Sequence, residues 1–234
     1  MTDTKILNPT EDVLLGRVLE AGPPLAFGQG NWRRYDGAIW ENIEEDTVLK
    51  RVWTVLVAAK DEGIRPTFQL ATSVAGATRV SVAIPNEYWD ADPNILVCRN
   101  GALDIAKGKL IDHSREHYAT STVPYDYDKH AKAPTWERFI SEVFASDVAA
   151  FLQEFVGLAL TTDQSQEIAV WLYSPPAGGK STFLAGIKGM MGQRAGELGL
   201  RELSRSRFHW RRYPVRRYSR RQSNPQASSP ARTS

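Results

Sequence analysis

Cysteine is almost missing from this chain, one residue in 234, and that excludes a fold stapled by internal disulfides. The single thiol, Cys98, lies in the apolar run Ile95-Leu96-Val97-Cys98 and reads as a reduced core residue. A reducing cytoplasm is the expected setting. Long apolar runs are missing too. Nothing approaches the roughly 18 consecutive residues of a membrane span, so no membrane partner is expected. The start, Met1-Thr2-Asp3-Thr4-Lys5, has no basic segment and no apolar stretch behind it, so no secretory signal is expected. There is no internal repeat.

Negative charge is missing from one end. From Arg201 onward there are ten Arg, one Glu and no Lys, a net of +9. The whole chain is +2, so the first 200 residues carry −7. An acidic body therefore precedes an arginine-only tail, and the overall charge says little about what the folded part binds. The tail beyond Trp210 has Ser, Pro and Gln but almost no aliphatic residues, and is expected to be disordered. Three accounts of it compete. Arginines interleaved with Trp210, Tyr213 and Tyr218 could bind nucleic acid by charge and stacking. The stretch could be a plain solvated tail. The preferred account is a shifted reading frame or damaged gene, to be tested by translating the other frames of the encoding DNA.

What is present suffices for a core, with 42% hydrophobic residues and a length suited to one or two domains. The first 30 residues are weakly patterned. Trp32–Trp40 predicts two short strands around Asp36-Gly37. A helix follows, capped by Asp46 or Thr47, with Val48, Val52, Val55, Leu56 and Ala59 on one face and Gly63 beyond its end. Residues 78–84 alternate, with Val80, Val82 and Ile84 on one side, and predict a half-buried strand. Asn94–Ile105 predicts a hairpin turning at Asn100-Gly101, and Lys107-Gly108 a second turn before Leu110-Ile111. After Pro134, the spacing of Trp136, Phe139, Ile140, Val143 and Phe144 predicts an amphipathic helix. A second, capped by Asp147, carries Val148, Phe151, Leu152, Phe155, Val156 and Ala159. Both are expected to dock on a core.

Ile168–Tyr173 is a continuous apolar run that predicts a buried parallel strand. The turn Ser174-Pro175-Pro176-Ala177-Gly178-Gly179 comes next, and Lys180–Met191 has helical spacing. Strand, glycine turn, Lys-Ser and helix together predict a phosphate-binding loop. Nucleotide phosphates pack several charges into a small volume, on which loop and helix-N-terminal N–H groups can converge. The expected nucleotide-binding residues are Ser174, Ala177, Gly178, Gly179, Lys180, Ser181 and Thr182, for ATP with Mg²⁺. Gly178 and Gly179 allow close backbone approach, Lys180 reaches the β- and γ-phosphates, Ser181 ligates the metal, and Thr182 supports the loop or the base side. The pattern G-x-x-x-x-G-K-[ST] asks for glycine where Ser174 stands. No later apolar run ends in an acidic residue that could share the metal, so no catalytic residue is assigned. His113 and His117 have a spacing that metal ligands use, but no third ligand is evident, and a structural or surface role is expected. Asp126 and Asp128 read as a solvated loop, and the tryptophans at 32, 40, 53, 89, 136 and 171 as core or interface anchors.

In order along the chain, Val97–Asp104, Gly108-Lys109-Leu110, His117-Tyr118, Tyr125-Asp126, Ala133–Trp136, Phe151-Leu152-Gln153, Gly157–Thr161 and Leu172–Phe183 resemble the helicase part of phage and plasmid primases, a branch of the superfamily III helicases. The resemblance runs from about residue 32 to about residue 208. It implies an ATP-driven DNA helicase, a hexameric ring on single-stranded DNA or a replication fork, with a primase domain upstream. Walker B, the polar sensor and the arginine finger of that family are not found, so the ATPase is expected to be truncated and hydrolysis incomplete.

The fold expected is an α+β accessory domain followed by the first strand, P-loop and helix of an α/β ATPase and a disordered basic tail. The expected boundaries are a variable segment 1–31, an accessory domain 32–165, an incomplete ATPase domain 166–208 and a tail 209–234. Two functions compete: the ATP-binding part of a replicative helicase, or a non-catalytic fragment that binds nucleic acid or helicase subunits.

Overall fold

The computed structural model describes residues 9–163, 165–166 and 168–196. The arginine-rich tail lies outside them. The chain divides into two units, Met1–Asp163 with Ser181–Glu197, and Gln164–Lys180 with Leu198–Ser234.

The first unit is α+β. Its elements run α1 (Glu11–Glu20), β1 (Leu25–Gly28), β2 (Asn31–Tyr35), β3 (Trp40–Ile43), α2 (Glu45–Ala58), α3 (Phe68–Ser81), β4 (Ile95–Cys98), β5 (Gly101–Asp104), β6 (Lys109–Ile111), α4 (Pro134–Val143) and α5 (Ser146–Ala159). The helix α6 (Lys180–Met191) closes the series. The strands form two three-stranded antiparallel sheets, β1-β2-β3 and β4-β5-β6.

The main core lies where α1, α2 and α3 meet. Acidic residues open α1 (Glu11, Asp12) and α2 (Glu45, Asp46), where the helix N-terminus favours negative charge. Spacings of three and four then bring Leu14 and Val18 of α1, and Val48, Val52, Val55 and Leu56 of α2, to one buried mass with Leu25, Trp32 and Val74. Each such side chain, fully buried, contributes about 1.5–3 kcal/mol. The helix expected after Asp46 is thus present, although its N-cap is Glu44 rather than Asp46 or Thr47. Gly63 follows it at φ 92°, a left-handed stop.

Three expectations are corrected. Residues 78–84 are not a strand: α3 runs to Ser81, capped by Thr67, whose Oγ1 accepts from the Leu70 N–H. Ala71, Val74, Ala75 and Thr78 form its inner face, and Val80 points outward at 79% exposure. The alternation covered one helix end and the exit from it. That exit does pair briefly, since the Phe27 N–H donates to Val82 (3.0 Å) and the Ile84 N–H to Phe27 (2.8 Å). Next, the hairpin at 95–104 is present, but Cys98 pairs with Gly101, so Arg99-Asn100 makes the turn. Asn100 is held there by Tyr127, accepting from its N–H (2.8 Å) and donating to its carbonyl (3.1 Å). Gly101, at φ 151°, opens β5 against the Ile111 carbonyl, where a Cβ would come to 2.6 Å. Finally, residues before 30 hold a helix and a strand, short pieces that serve the core together.

The aromatic anchors divide. Trp32, Trp40 and Trp89 are buried, whereas Trp53, Trp136 and Trp171 are exposed. Trp89 packs edge-on to Trp40 and Tyr118, and Arg33 lies over its ring at 4.7 Å. A Cβ on Gly28 would reach the Trp89 indole nitrogen at 2.1 Å, so glycine is what lets the indole seat against β1. Cys98 is buried and free, with burial and Asp126 raising its pKa.

Candidate functional site

In the second unit, Ile168–Tyr173 is not a strand. No described strand lies beside it, and a parallel strand without neighbours leaves its backbone groups unpaired. Its large side chains stand in solvent, Trp171 at 72% and Tyr173 at 93% exposure. The expected strand before the phosphate loop is therefore replaced by irregular chain.

The loop itself is built. Pro175 and Pro176 fix φ on entering the turn. Ala177 (φ 60°) and Gly179 (φ 73°) are both left-handed, a conformation that costs a non-glycine residue energy and recurs where a ligand shapes the backbone. The Gly178 N–H donates to the Pro175 carbonyl at 3.3 Å. A Cβ on Gly178 would come to 2.3 Å from Ser174 Oγ, so the loop closes on itself only because position 178 has no side chain.

Lys180 reaches back across that loop. Its Nζ donates to the Ser174 carbonyl (2.8 Å), the Ser174 hydroxyl (2.5 Å) and the Pro175 carbonyl (3.0 Å). The structure thus brings together Ser174, Gly178, Gly179 and Lys180, with Ala177 supplying the bend. Ser181 and Thr182 continue into the first turn of α6 with exposed hydroxyl-bearing side chains. α6 spans the residues expected from its apolar spacing.

The loop is shaped by glycine and two left-handed residues, and its ammonium is held by neutral oxygens that a polyphosphate could replace.

A second feature went unread in the sequence. Within the first unit, α4, α5 and α6 line an apolar groove of about 1030 Å³, with Trp136, Ile140, Phe144, Val156 and Phe183 among its walls. Trp136 stacks on Phe183 at 5.9 Å and 14°, and Phe144 meets Phe183 edge-on at 5.1 Å. Gly186 admits Trp136, since a Cβ there would touch its ring at 2.5 Å. The helices were legible from spacing, but their faces line this groove more than they close a core: α4 buries no residue and α5 only Leu152. Asp147 lies in the first turn of α5, whose N-cap is Ala145.

Of the remaining candidates, His113, Asp126 and Asp128 have structural partners, whereas the buried Nε2 of His117 has none among the described residues. His113 Nε2 donates to the Cys98 carbonyl at 2.8 Å. Asp126 pairs with Arg99 at 3.0 Å, and Asp128 accepts from the His130 N–H. No group of three metal-ligating side chains occurs among the described residues. None of the described helices is long and apolar enough to cross a membrane.

Residues 27–145 match the family described as D5 N terminal like, just over half of the chain. That span runs from within β1 to just beyond α4 and ends before the loop at 174. No curated protein matches the chain.

Proposed function

Because this chain belongs to the D5 N terminal like family, which relates it to the phage and plasmid primase-helicases, we propose that it is the ATP-binding part of a replicative DNA helicase. Ser174–Thr182 is the phosphate loop in this reading, and MgATP is its ligand. DNA, single-stranded or forked, and a ring of identical subunits are its partners. The observation that carries it is the capture of Lys180 Nζ by the loop's own oxygens, which holds a lysine ammonium within a glycine-shaped turn at the start of a 12-residue helix.

Phosphate binding at such a loop is largely electrostatic and geometric. Backbone N–H groups and a lysine together offset the charge of the terminal phosphates, and a serine hydroxyl completes the cation's oxygen shell. Bound Mg²⁺ would supply charge neutralisation between the outer phosphates. Titration calorimetry of the full chain with MgATP tests the reading. Lys180→Ala should weaken binding about a hundredfold, the value of a lost charge-assisted contact near 3 kcal/mol. Equal affinity for parent and variant would remove the loop from the proposal.

A second reading is a non-catalytic fragment that binds nucleic acid or a helicase subunit without using nucleotide, the subunit docking along the apolar groove. Under that reading Lys180→Ala changes nothing, and substitutions along Ile140 and Val156 abolish the association.

A further inference from the structure

Ser174 stands where the phosphate-loop pattern has glycine, and the structure turns that difference into a contact. An ammonium has three N–H donors. All three of Lys180 are taken, by the Ser174 carbonyl, the Pro175 carbonyl and the Ser174 hydroxyl. The two carbonyls belong to the backbone and would be offered by any residue at 174. The hydroxyl exists only because that residue is serine. It also donates to the Pro175 carbonyl at 3.1 Å, and it fills the space that a side chain at Gly178 would enter.

The ammonium has no ion-pair partner among the described residues. Hydrogen bonds to a charged group are the strong kind, so each oxygen on Lys180 must be exchanged before a phosphate gains the cation in full. Serine therefore adds a competitor that glycine would not.

We propose that Ser174 is an internal stand-in for phosphate: its hydroxyl holds Lys180 Nζ against the loop, and a polyphosphate must displace it. Residue 174 then sets how tightly the loop takes its ligand. This rests on the reading of Ser174–Thr182 as a phosphate cradle. Ser174 acts through Lys180 and is a positioning residue.

The test uses the full chain and two probes, MgATP and inorganic tripolyphosphate, titrated by calorimetry. Ser174→Ala removes the hydroxyl and keeps the Cβ. Ser174→Gly also removes the Cβ and frees the backbone at position 174. Both variants should bind each probe about tenfold more tightly, the upper end of one net hydrogen bond. A second readout is the acetylation rate of the Lys180 amine without ligand, followed by mass spectrometry. In the parent the loop oxygens hold the amine against the turn, so Ser174→Ala, which frees one of its three contacts, should label faster than the parent, and MgATP should protect both. Unchanged or weaker binding by Ser174→Ala, with binding still lost in Lys180→Ala, overturns the stand-in and leaves the cradle. A gain in Ser174→Gly alone assigns the effect to backbone freedom at position 174 and overturns the role of the hydroxyl. Absence of any Lys180-dependent binding, in the parent and both variants, overturns the cradle and the stand-in together.

Discussion

Helices α1–α3 and helices α4–α6 present apolar residues at similar spacings, yet they use them differently. In α2 the stripe Val48, Val52, Val55, Leu56 is buried throughout, because α1, α3 and the sheet β1-β2-β3 cover it. In α4 and its C-cap the stripe Trp136, Phe139, Ile140, Val143, Phe144 buries nothing, α5 buries only Leu152, and α6 only Phe183. Periodicity therefore reports which side of a helix is apolar. What covers that side depends on long-range packing, which spacing does not encode.

The largest break in this comparison comes from the closed region. Leu56 is fully buried between α1 and α3, so Leu56→Ala leaves a cavity as well as losing transfer energy. A cost of about 2–5 kcal/mol is expected in chemical denaturation, with the midpoint lowered and the slope unchanged. A loss under 1 kcal/mol would show that the three helices do not form the stable core.

Legibility follows the same division. α2 and α6 could be read because each carries its pattern over three turns or more, with breakers outside. α3 was misread because its inner face uses Ala71, Ala75 and Thr78, which carry little apolar signal, while Val80 is exposed. Neither α1 nor β1 is long enough to show a period alone; the core they share makes them stable. The Asn100-Gly101 signal found the right hairpin one residue out of place, since Asn100 is claimed by Tyr127 across the chain. At the loop, the residue types and the start of α6 were legible. The partners of Lys180 were not, because two of the three are backbone carbonyls.

A smaller effect tests the second sheet, which belongs to neither helix set. Asp104 ends β5 and accepts from both the Lys107 N–H (3.0 Å) and Lys107 Nζ (2.7 Å). Those bonds, with the side-chain bond from Lys107 leading, hold its pKa below the ordinary carboxylate value. A depressed folded pKa stabilises above the unfolded value, near about 4, and that contribution disappears as pH falls through the folded value. Asp104→Asn should therefore be less stable than the parent at pH 7, with the gap closing below about pH 4. A gap that stays constant from neutral pH to about pH 3 would mean that the charge of Asp104 does not matter to the turn.

The smallest expected effect repeats the first substitution on the open side. Leu184 lies on α6 at 53% exposure, against 0% for Leu56 on α2. The two share a side chain and a secondary structure, so any difference between their alanine variants measures what covers each face. With half its surface already in water, Leu184 forfeits little on truncation, and its replacement should leave no cavity. Leu184→Ala should thus fall within about 0.5 kcal/mol of the parent in the same denaturation experiment. A cost approaching that of Leu56→Ala, rising with protein concentration, would mean that α6 is covered in solution by a second molecule. A comparable cost independent of concentration would place Leu184 inside the chain's own core and erase the distinction between the two helix sets.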